Sequence, residues 1–426
     1  MFEFLVWLTA ALCVLGVLRF YLKFRDPFHP AVLILPMFAF IYVLMPLKQL
    51  SGGDVFTLVS EPQLIWVHSI VVASLVCLIW GLDRGGNATI PPPKRLVIGY
   101  RSDVLHRGAY VLGAIGLAAW GWAIRNAGGV TRVFGHAKGM GYSDLGYIRE
   151  AAYLMIVALL LLLSPEGFRP RSKIWLACVV IFSLPFLMQG ILGAQRGPTF
   201  LIIVTLAMSW YLARRQRPSL GILFGGGVLL GALLLFLVVN RGAIYLGSNK
   251  QLTTNTSGVL DADVSNEYDF GAGCMITAEQ TGHFYWGKRY LAQILVRPIP
   301  HQIWPTKYED FGVPELLSNA GVAGDGLAPV MGWSEMTGAA AAMVADLWVE
   351  FSWLAIPVMF FIGYIYSAVW KRAVTLGGVW TTQYMIFALL SIYMVSQSGE
   401  AVIFRFVILT LPTRYVWRKA EIIAPF

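Results

Sequence analysis

Long apolar stretches alternate with short polar connections along most of this chain. A membrane-spanning helix needs about 20 mostly apolar residues, and several stretches reach or approach that length. They are residues 2–20, 32–50, 64–82, 109–124, 151–164, 174–191, 199–213, 221–239, 352–370, 380–395 and 401–411. The pattern predicts an all-α polytopic membrane protein with about 11 spans.

A long polar stretch, residues 240–337, interrupts this alternation. It divides the chain into three predicted regions. Residues 1–239 would hold the first eight spans, with an external loop at 125–150. Residues 240–337 would form a long external loop carrying short amphipathic helices. Residues 338–426 would hold the last three spans and a cytoplasmic tail.

Composition supports this class of protein. The chain is 57% hydrophobic and only 13% charged, whereas soluble domains carry roughly a quarter charged residues. The net charge of +9 is explained by Lys and Arg residues beside the spans. No basic run with interleaved aromatic residues is typical of a nucleic-acid-binding face, so we expect no nucleic-acid partner.

The cysteines indicate neither a disulfide framework nor a metal site. Cys13, Cys77 and Cys178 fall inside apolar stretches, and Cys274 lies in the long loop. No CxxC spacing is present. The first span starts at Phe2 without a basic segment or a small-residue cleavage site, which predicts an uncleaved anchor.

The distribution of basic residues predicts the orientation. Most of the 32 Lys and Arg residues lie in alternate short connections, which the positive-inside rule assigns to the cytoplasm. The N-terminus and residues 240–337 would then face the exterior, and the C-terminus the cytoplasm.

Arginines at the external ends of predicted spans are candidates for binding an anion. Arg196 and Arg241 each end a span and precede a glycine, and Arg405 lies inside the last apolar stretch. Guanidinium groups bind phosphate oxygens in a bidentate manner and stay charged. The alternative is that these side chains extend along lipid to reach water. An ionisable residue inside a span, such as Arg405, favours a functional role.

The long loop contains an aromatic and basic segment, residues 279–296. Residues 290, 291, 294 and 295 share one helical face, which predicts a helix in the membrane interface with Lys288 and Arg289 near headgroups. Arg289 is also a candidate ligand for a phosphate. Pro298, Pro300 and Pro305 then predict a rigid extended segment lining a cavity, with His301 and Lys307 as its polar tips.

Four residues are candidates for a general base or a hydrogen-bonding group at a substrate hydroxyl: Glu279, His301, Asp346 and Glu350. Asp346 and Glu350 are four residues apart, on one face of a predicted helix. The alternatives are that they form the polar end of an amphipathic segment or pair with an arginine.

Familiar nucleotide-binding and hydrolase motifs are missing from the sequence. It has no Walker loop, no GxGxxG after a strand, no HExxH and no GxSxG. No DxD-type metal pair lies in the predicted cytoplasmic connections. We therefore expect no cofactor and no metal, and we expect any activated group to arrive attached to the substrate.

Two loop stretches carry a resemblance to a known family. Residues 285–291 read YWGKRYL and residues 299–307 read IPHQIWPTK. They resemble the YGxxYL…IPRxIWPxKP stretch of bacterial oligosaccharide repeat-unit polymerases, the O-antigen polymerases. Gln195–Arg196–Gly197 is similar to the Arg–Gly of that family at a span end, and residues 346–351, DLWVEF, lie where the family has an acidic residue before a span. The chain departs from the family at His301, where arginine is usual, and at Tyr308, where proline is usual.

The resemblance implies a metal-independent glycosyltransferase of the inner membrane, with a GT-C-like fold. It would join oligosaccharide units carried on undecaprenyl diphosphate at the periplasmic face, with a chain-length regulator and a flippase as partners. Arg196, Arg241, Arg289 and Arg405 would bind the diphosphate. Glu279, His301, Asp346 and Glu350 would act on the acceptor hydroxyl.

Other functions remain open from the sequence. An O-antigen ligase or another lipid-linked glycosyltransferase needs the same donor on the same face. A secondary transporter predicts inverted repeats and broken helices, and neither is visible. A non-catalytic scaffold in a polysaccharide export complex is the remaining alternative.

Overall fold

The structure is a computed structural model that describes residues 1–52, 59–91, 97–136, 150–193, 196–214, 216–240, 242–253, 267–313 and 340–423. The described chain is mostly helical. Its α-helices, numbered in chain order, are α1 Phe2–Phe24, α2 Pro30–Ala39, α3 Met45–Gly52, α4 Glu61–Gly86, α5 Ser102–Asn126, α6 Val130–Phe134, α7 Leu154–Leu162, α8 Lys173–Ile191, α9 Arg196–Ala213, α10 Leu220–Val239, α11 Glu267–Thr281, α12 Lys288–Leu291, α13 Lys307–Asp310, α14 Ala342–Phe351, α15 Ala355–Leu376, α16 Val379–Ser396 and α17 Gly399–Ala420. Two π-helical turns, Phe40–Leu44 and Ala292–Val296, and a 3-10 turn, Ser352–Leu354, continue neighbouring helices. Strands β1 Val97–Tyr100 and β2 Glu421–Ile423 pair antiparallel.

Within these described ranges, six helical segments are long and apolar enough to cross a membrane. They are Phe2–Phe24, Pro30–Leu47, Glu61–Gly86, Lys173–Ile191, Ala342–Leu376 and Val379–Ser396. Gly197–Ala213 and Gly221–Leu237 are apolar but shorter. These helices are consistent with a polytopic membrane protein, while the count of about 11 spans and the GT-C-like fold stay predictions.

The chain divides into two compact units, each assembled from separate stretches. The first unit comprises Met1–Ala88, Leu260–Lys371 and Leu390–Phe404, and the second comprises Thr89–Val259, Arg372–Leu389 and Arg405–Phe426.

In the first unit, glycines bring α4 and α15 into backbone contact. A Cβ atom added at Gly81 would collide with the backbone carbonyl of Phe360, and one added at Gly85 would collide with that of Tyr364. Gly363 meets the backbone of Leu78 in the same way. Small residues four apart allow such close helix packing in a bilayer, where dispersion contacts replace the hydrophobic effect as the driving force.

A buried histidine lies in the connection between α1 and α2 of the same unit. The Nδ1 atom of His29 accepts a hydrogen bond from the Ala31 amide at 3.2 Å, capping α2. The proton therefore resides on Nε2, which donates to the Ser367 hydroxyl at 3.1 Å. Burial, with a smaller contribution from the charge of Lys23, lowers the pKa of His29 to about 3. His29 is thus neutral in the folded protein.

Helix α11 lies within the stretch predicted to be a long external loop, yet its residues 267–278 are buried. It packs against α14, where a Cβ atom at Gly271 would lie 2.5 Å from the Ala341 carbonyl oxygen. It also packs against α4, where the Tyr268 hydroxyl lies 3.0 Å from Nδ1 of His68. Part of the polar stretch is therefore core of the first unit.

In the second unit, α7 is surrounded by α5, α8 and α9. Its nine residues Leu154–Leu162 are apolar, and residues 155–162 are buried. The apolar stretch predicted at 151–164 thus contains a helix much shorter than a membrane span. After α7 in the chain, the Gly167 carbonyl accepts a hydrogen bond from Nε2 of His106 in α5 at 2.7 Å.

Candidate functional site

A buried ion-paired cluster lies where α12 meets α14 in the first unit. The Arg289 guanidinium is 3.2 Å from Oδ1 of Asp346 and 3.3 Å from Oε1 of Glu350. The Arg289 side chain is 5% exposed and both carboxylates are 0% exposed. Of the two alternatives to a role at a substrate hydroxyl, an exposed polar end is therefore wrong and pairing with an arginine is confirmed. A direct role of the two carboxylates at a hydroxyl stays a prediction.

Helix α14 presents the two carboxylates because residues 346 and 350 lie one turn apart on the same face. Both ends of this helix have backbone in the left-handed region, with φ of 58° at Ala342 and 50° at Ser352. Such conformations cost about 1–3 kcal/mol for residues other than glycine and are typical of functional sites. The backbone conformation at Ser352 therefore separates α14 from α15, although both helices lie in one candidate span.

A tight reversal of the chain brings Arg289 to α14. The amides of Tyr285 and Trp286 donate to the carbonyls of Val349 and Glu350, at 3.1 and 2.6 Å. Trp286 and Gly287 then adopt left-handed backbone, with φ of 52° and 82°. The Gly287 amide donates to Oε2 of Glu350 at 2.8 Å. The loop is thus held by both the backbone and a side chain of α14.

Asp346 connects three segments of the chain. Besides its pairing with Arg289, its Oδ2 atom accepts the Tyr290 hydroxyl at 2.5 Å and the Gly399 amide at 2.8 Å. Burial, followed by the charge and hydrogen bond of Asp346, raises the pKa of Tyr290 well above its usual range. Tyr290 therefore stays a hydrogen-bond donor at any physiological pH. Gly399 is the first residue of α17.

Buried groups of α2, the following π-helical turn and α11 complete the surroundings. The Tyr42 hydroxyl accepts the Val344 amide of α14 at 3.0 Å. Cys274 is buried, and desolvation raises the pKa of its thiol to about 12, so it remains protonated. Asp269, near the start of α11, is also buried, and desolvation raises its pKa to about 8. Within residues 267–313 and 340–371, this unit therefore keeps several acidic groups out of water.

Glu279 and His301, the other two base candidates, are exposed. Glu279 lies in the last turn of α11, and His301 lies in the proline-rich segment. The prediction that Lys307 is a polar tip is wrong, because only 3% of this residue is exposed. Its ammonium donates to the carbonyls of Val296, Arg297 and Ile299, at 3.3, 3.3 and 2.5 Å. The prediction of an extended segment is wrong, because the chain here forms hydrogen-bonded turns, as in the Ile303 amide that donates to the Pro300 carbonyl at 3.0 Å. Lys307 holds these turns together.

The prediction for the interface helix is partly wrong. Arg289 turns inward to the carboxylates rather than outward to headgroups, and Tyr290 turns with it. Leu291, Ile294 and Leu295 are exposed, as the shared face predicts. A role for Arg289 in binding a diphosphate stays a prediction.

Arg405 belongs to the second unit. Its guanidinium carbon lies 5.5 Å from the ring centre of Tyr153. The ring centre of Tyr153 in turn lies 5.8 Å from that of Phe186, in the second half of α8. One turn further along α8, Gly190 is packed against Thr199 near the start of α9. These contacts place the start of α9, where Arg196 lies, at the same end of this unit as Arg405.

The remaining predicted arginines are only partly visible. The backbone of Arg196 begins α9, but its side chain lies outside the described part of the structure, as does the whole of Arg241. In the described chain after residue 241, the Leu246 amide donates to the Phe134 carbonyl at 2.7 Å. Met188 and Leu192 pack against the cluster that contains Phe134. Convergence of the three guanidinium groups of the second unit stays a prediction.

Sequence reasoning missed two residues of the cluster, Tyr290 and Gly399. Tyr290 lies in the aromatic segment, residues 279–296, for which the sequence predicts a helix in the membrane interface. Gly399 follows Gln397–Ser398 at the start of the last apolar stretch. A polar triplet with glycine before a span is a signal for a helix start held by another group, but it does not identify that group.

The cluster can hold three segments in a fixed arrangement. Asp346 accepts three hydrogen bonds, from Arg289, Tyr290 and Gly399, and is therefore suited to positioning them. Glu350 accepts one from the Gly287 amide and pairs with Arg289. Among the described residues, no group of three or more His, Cys, Asp or Glu side chains could hold a metal ion.

Comparison with family models, curated proteins and solved structures finds no match to the chain.

Proposed function

We propose that the chain is a membrane glycosyltransferase that joins oligosaccharide repeat units carried on undecaprenyl diphosphate. One observation carries the proposal. The stretches whose sequences resemble the repeat-unit polymerases, residues 285–291 and 346–351, fold onto each other through Arg289, Asp346 and Glu350. Residues of these types would be expected to pack in this way if the resemblance reflects a shared site.

The proposed reaction needs no cofactor. The bond between the diphosphate oxygen and the anomeric carbon of one unit breaks, and that carbon forms a bond to a hydroxyl oxygen of a second unit. The hydroxyl proton passes to a base, and the lipid diphosphate leaves as an anion. Cationic groups fixed at the diphosphate would stabilise the charge that develops there.

Arg405, Arg196 and Arg241 are the proposed diphosphate ligands. The half-buried position of Arg405 in α17 supports this role, because ionisable residues inside apolar helices are rare and favour a function. The contacts through Tyr153 and Phe186 further support a common location for Arg405 and the start of α9.

Glu279 and His301 are the proposed groups for the acceptor hydroxyl, since both are exposed to the surroundings. Asp346, Glu350 and Arg289 would instead hold the segment that follows α11 and leads to His301. We propose that the site faces the periplasm, with donor and acceptor both carried on lipid, and that a flippase and a chain-length regulator act with the protein.

A deletion strain tests the proposal through its cell-surface glycan. A polymerase predicts lipopolysaccharide capped by single repeat units in the deletion strain. Complete absence of attached glycan would indicate a ligase instead. An unchanged glycan would contradict both activities.

Complementation with variants tests the proposed diphosphate site. Arg405→Ala should abolish long chains while leaving single-unit caps, and Arg405→Lys should restore part of the polymer because it keeps the charge. Arg171→Ala, at an exposed site in the connection between α7 and α8, is the matched control and should give the wild-type length distribution. Equal polymer from Arg405→Ala at equal protein abundance would exclude the proposed role.

A further inference from the structure

In the segment from Trp286 to Ile303, several apolar side chains are exposed and several polar side chains are buried. A surface that faces water shows the opposite arrangement. The exposed side chains of the segment include Trp286, Leu295 and Ile303, at 60, 57 and 75% exposure, together with Leu291 and Ile294. We call these five residues the apolar patch. Soluble proteins avoid contiguous exposed apolar surface of this kind unless it binds something.

The inner face of the same segment is polar. Arg289, Gln293 and Lys307 are all buried. Arg289 pairs with two carboxylates, the Gln293 side chain accepts the Arg297 guanidinium at 2.7 Å, and Lys307 donates to three carbonyls. Charged groups turned inward and paired, with apolar groups turned outward, are the arrangement favoured in contact with lipid.

A backbone hydrogen bond connects the apolar patch to the part of a candidate span that precedes α15. The Trp286 amide bonds to the Glu350 carbonyl at 2.6 Å. Two residues after Phe351, the exposed Trp353 and Leu354 begin the part of the candidate span that leads into α15. A bilayer that surrounds this span would reach the patch as well.

We infer that the apolar patch inserts into the lipid of the membrane leaflet at the start of α15, within the candidate span Ala342–Leu376. The inserted segment is too short to cross a bilayer and lies along its surface. Amphipathic segments of this kind bury their apolar face about 5–10 Å deep. Exposed Lys288, His301 and Gln302 form the polar rim, with Lys288 suited to anionic headgroups. This inference does not depend on the proposed function.

Site-specific fluorescence in nanodiscs tests the insertion. The full chain is loaded at one copy per disc, in phosphatidylethanolamine and phosphatidylglycerol with a nitroxide near the start of the acyl chain. Each of the native cysteines is replaced by alanine, and an environment-sensitive label is placed at Ile294→Cys, Leu295→Cys or Ile303→Cys. Gln280→Cys, at an exposed site in the last turn of α11, is the matched control.

Insertion predicts emission shifted to shorter wavelength at the three patch sites and several-fold stronger quenching by the lipid nitroxide than at residue 280. Emission typical of water with strong iodide quenching at residues 294 and 295 would overturn the inference. Shifted emission without nitroxide quenching would overturn it too, because it would mean that protein covers the patch.

A second measurement covers the case in which the cysteine-free chain fails to fold. A photoreactive benzoylphenylalanine at position 294 or 303 of the otherwise unchanged chain should form adducts with the mass of one phospholipid. Cross-links to protein alone, with no lipid adduct, would contradict insertion.

Discussion

The Asp346 carboxylate accepts a hydrogen bond from the Gly399 amide at 2.8 Å, across 53 residues of sequence. Gly399 begins α17, and the first amides of a helix have no partner within the helix. A carboxylate at this position also interacts favourably with the helix dipole. Asp346 thus stabilises the start of α17.

The first prediction concerns the charge balance of the cluster. Arg289→Met leaves the buried carboxylates of Asp346 and Glu350 without their cation, and breaking a buried pair in this way costs about 3–5 kcal/mol. We expect a large fall in the midpoint of thermal unfolding in mild detergent. Lys288→Met changes an exposed neighbour and should alter stability by no more than about 0.5 kcal/mol.

Removing the charges together provides the check on this interpretation. Asp346→Asn and Glu350→Gln added to Arg289→Met should recover part of the lost stability, because no uncompensated charge remains. If the triple variant is less stable than Arg289→Met alone, the charge imbalance is not the cause.

The second prediction concerns the close approach of Tyr290 and Gly399. A Cβ atom at Gly399 would lie 2.9 Å from the Tyr290 hydroxyl oxygen and 3.4 Å from Oδ2 of Asp346. Gly399→Ala should therefore destabilise by about 1–3 kcal/mol through crowding, although alanine is otherwise the better helix residue. Tyr290→Phe should cost about 1.5–3 kcal/mol, since it removes a hydrogen bond to a charged group.

The double variant distinguishes crowding from a general effect of alanine. Without the tyrosine hydroxyl, much of the crowding at residue 399 disappears, so the two losses should not add. Chemical unfolding of the four proteins measures this coupling. Strict additivity would mean that the two residues do not share the contact.

The third prediction is a pH dependence of stability that arises from His29. Its pKa is about 3 in the folded protein, against 6.5 in the unfolded chain. Below about pH 6.5 the unfolded chain therefore binds a proton that the folded protein does not, and stability falls as the pH falls toward 3. The contribution reaches up to about 1.4 kcal/mol for each pH unit.

His29→Asn removes this titration and keeps a residue that can cap α2. We expect the midpoint of thermal unfolding to change less between pH 7.5 and pH 5 (about 1 pH unit above and about 1.5 pH units below the usual histidine pKa) than in the unchanged chain. His136→Asn, at an exposed site, should retain the original profile. An identical profile for His29→Asn would show that another group is responsible.

The fourth prediction concerns the proline-rich segment. Lys307→Met removes the ammonium that bonds three carbonyls, and each hydrogen bond to a charged group contributes about 1.5–3 kcal/mol. The loss should be local, so amide hydrogen exchange should become faster over residues 297–306 and stay unchanged over α11. Lys250→Met, at an exposed site, is the control, and equal exchange in both variants would exclude this role of Lys307.

The positions of the apolar helices could be predicted from the sequence, because a run of apolar residues near the length of a span is a strong signal. The burial of α11 could not. Its Glu267 and Asp269 make residues 267–281 look like part of a polar loop, and their burial depends on contacts with α4 and α14 that are distant in sequence.

For the candidate site, the spacing of Asp346 and Glu350 predicted their shared face, but not their partner. The chain has 32 basic residues, and only the reversal at Trp286 and Gly287 selects Arg289. The same reversal determines which residues of the aromatic segment turn inward. Local sequence gives Leu291, Ile294 and Leu295 a common face, whereas the inward turn of Tyr290 requires the carboxylate of Asp346.

The shortness of α7 bears on how the second unit would meet a bilayer. Nine residues of α-helix rise about 13.5 Å, which is less than half of the roughly 30 Å hydrocarbon thickness of a bilayer. Helix α7 alone therefore cannot cross a membrane. Tyr153 directly precedes it, so under the proposed function the Arg405 guanidinium, 5.5 Å from the centre of the Tyr153 ring, would meet the diphosphate beside the start of a helix that ends before it could span the lipid.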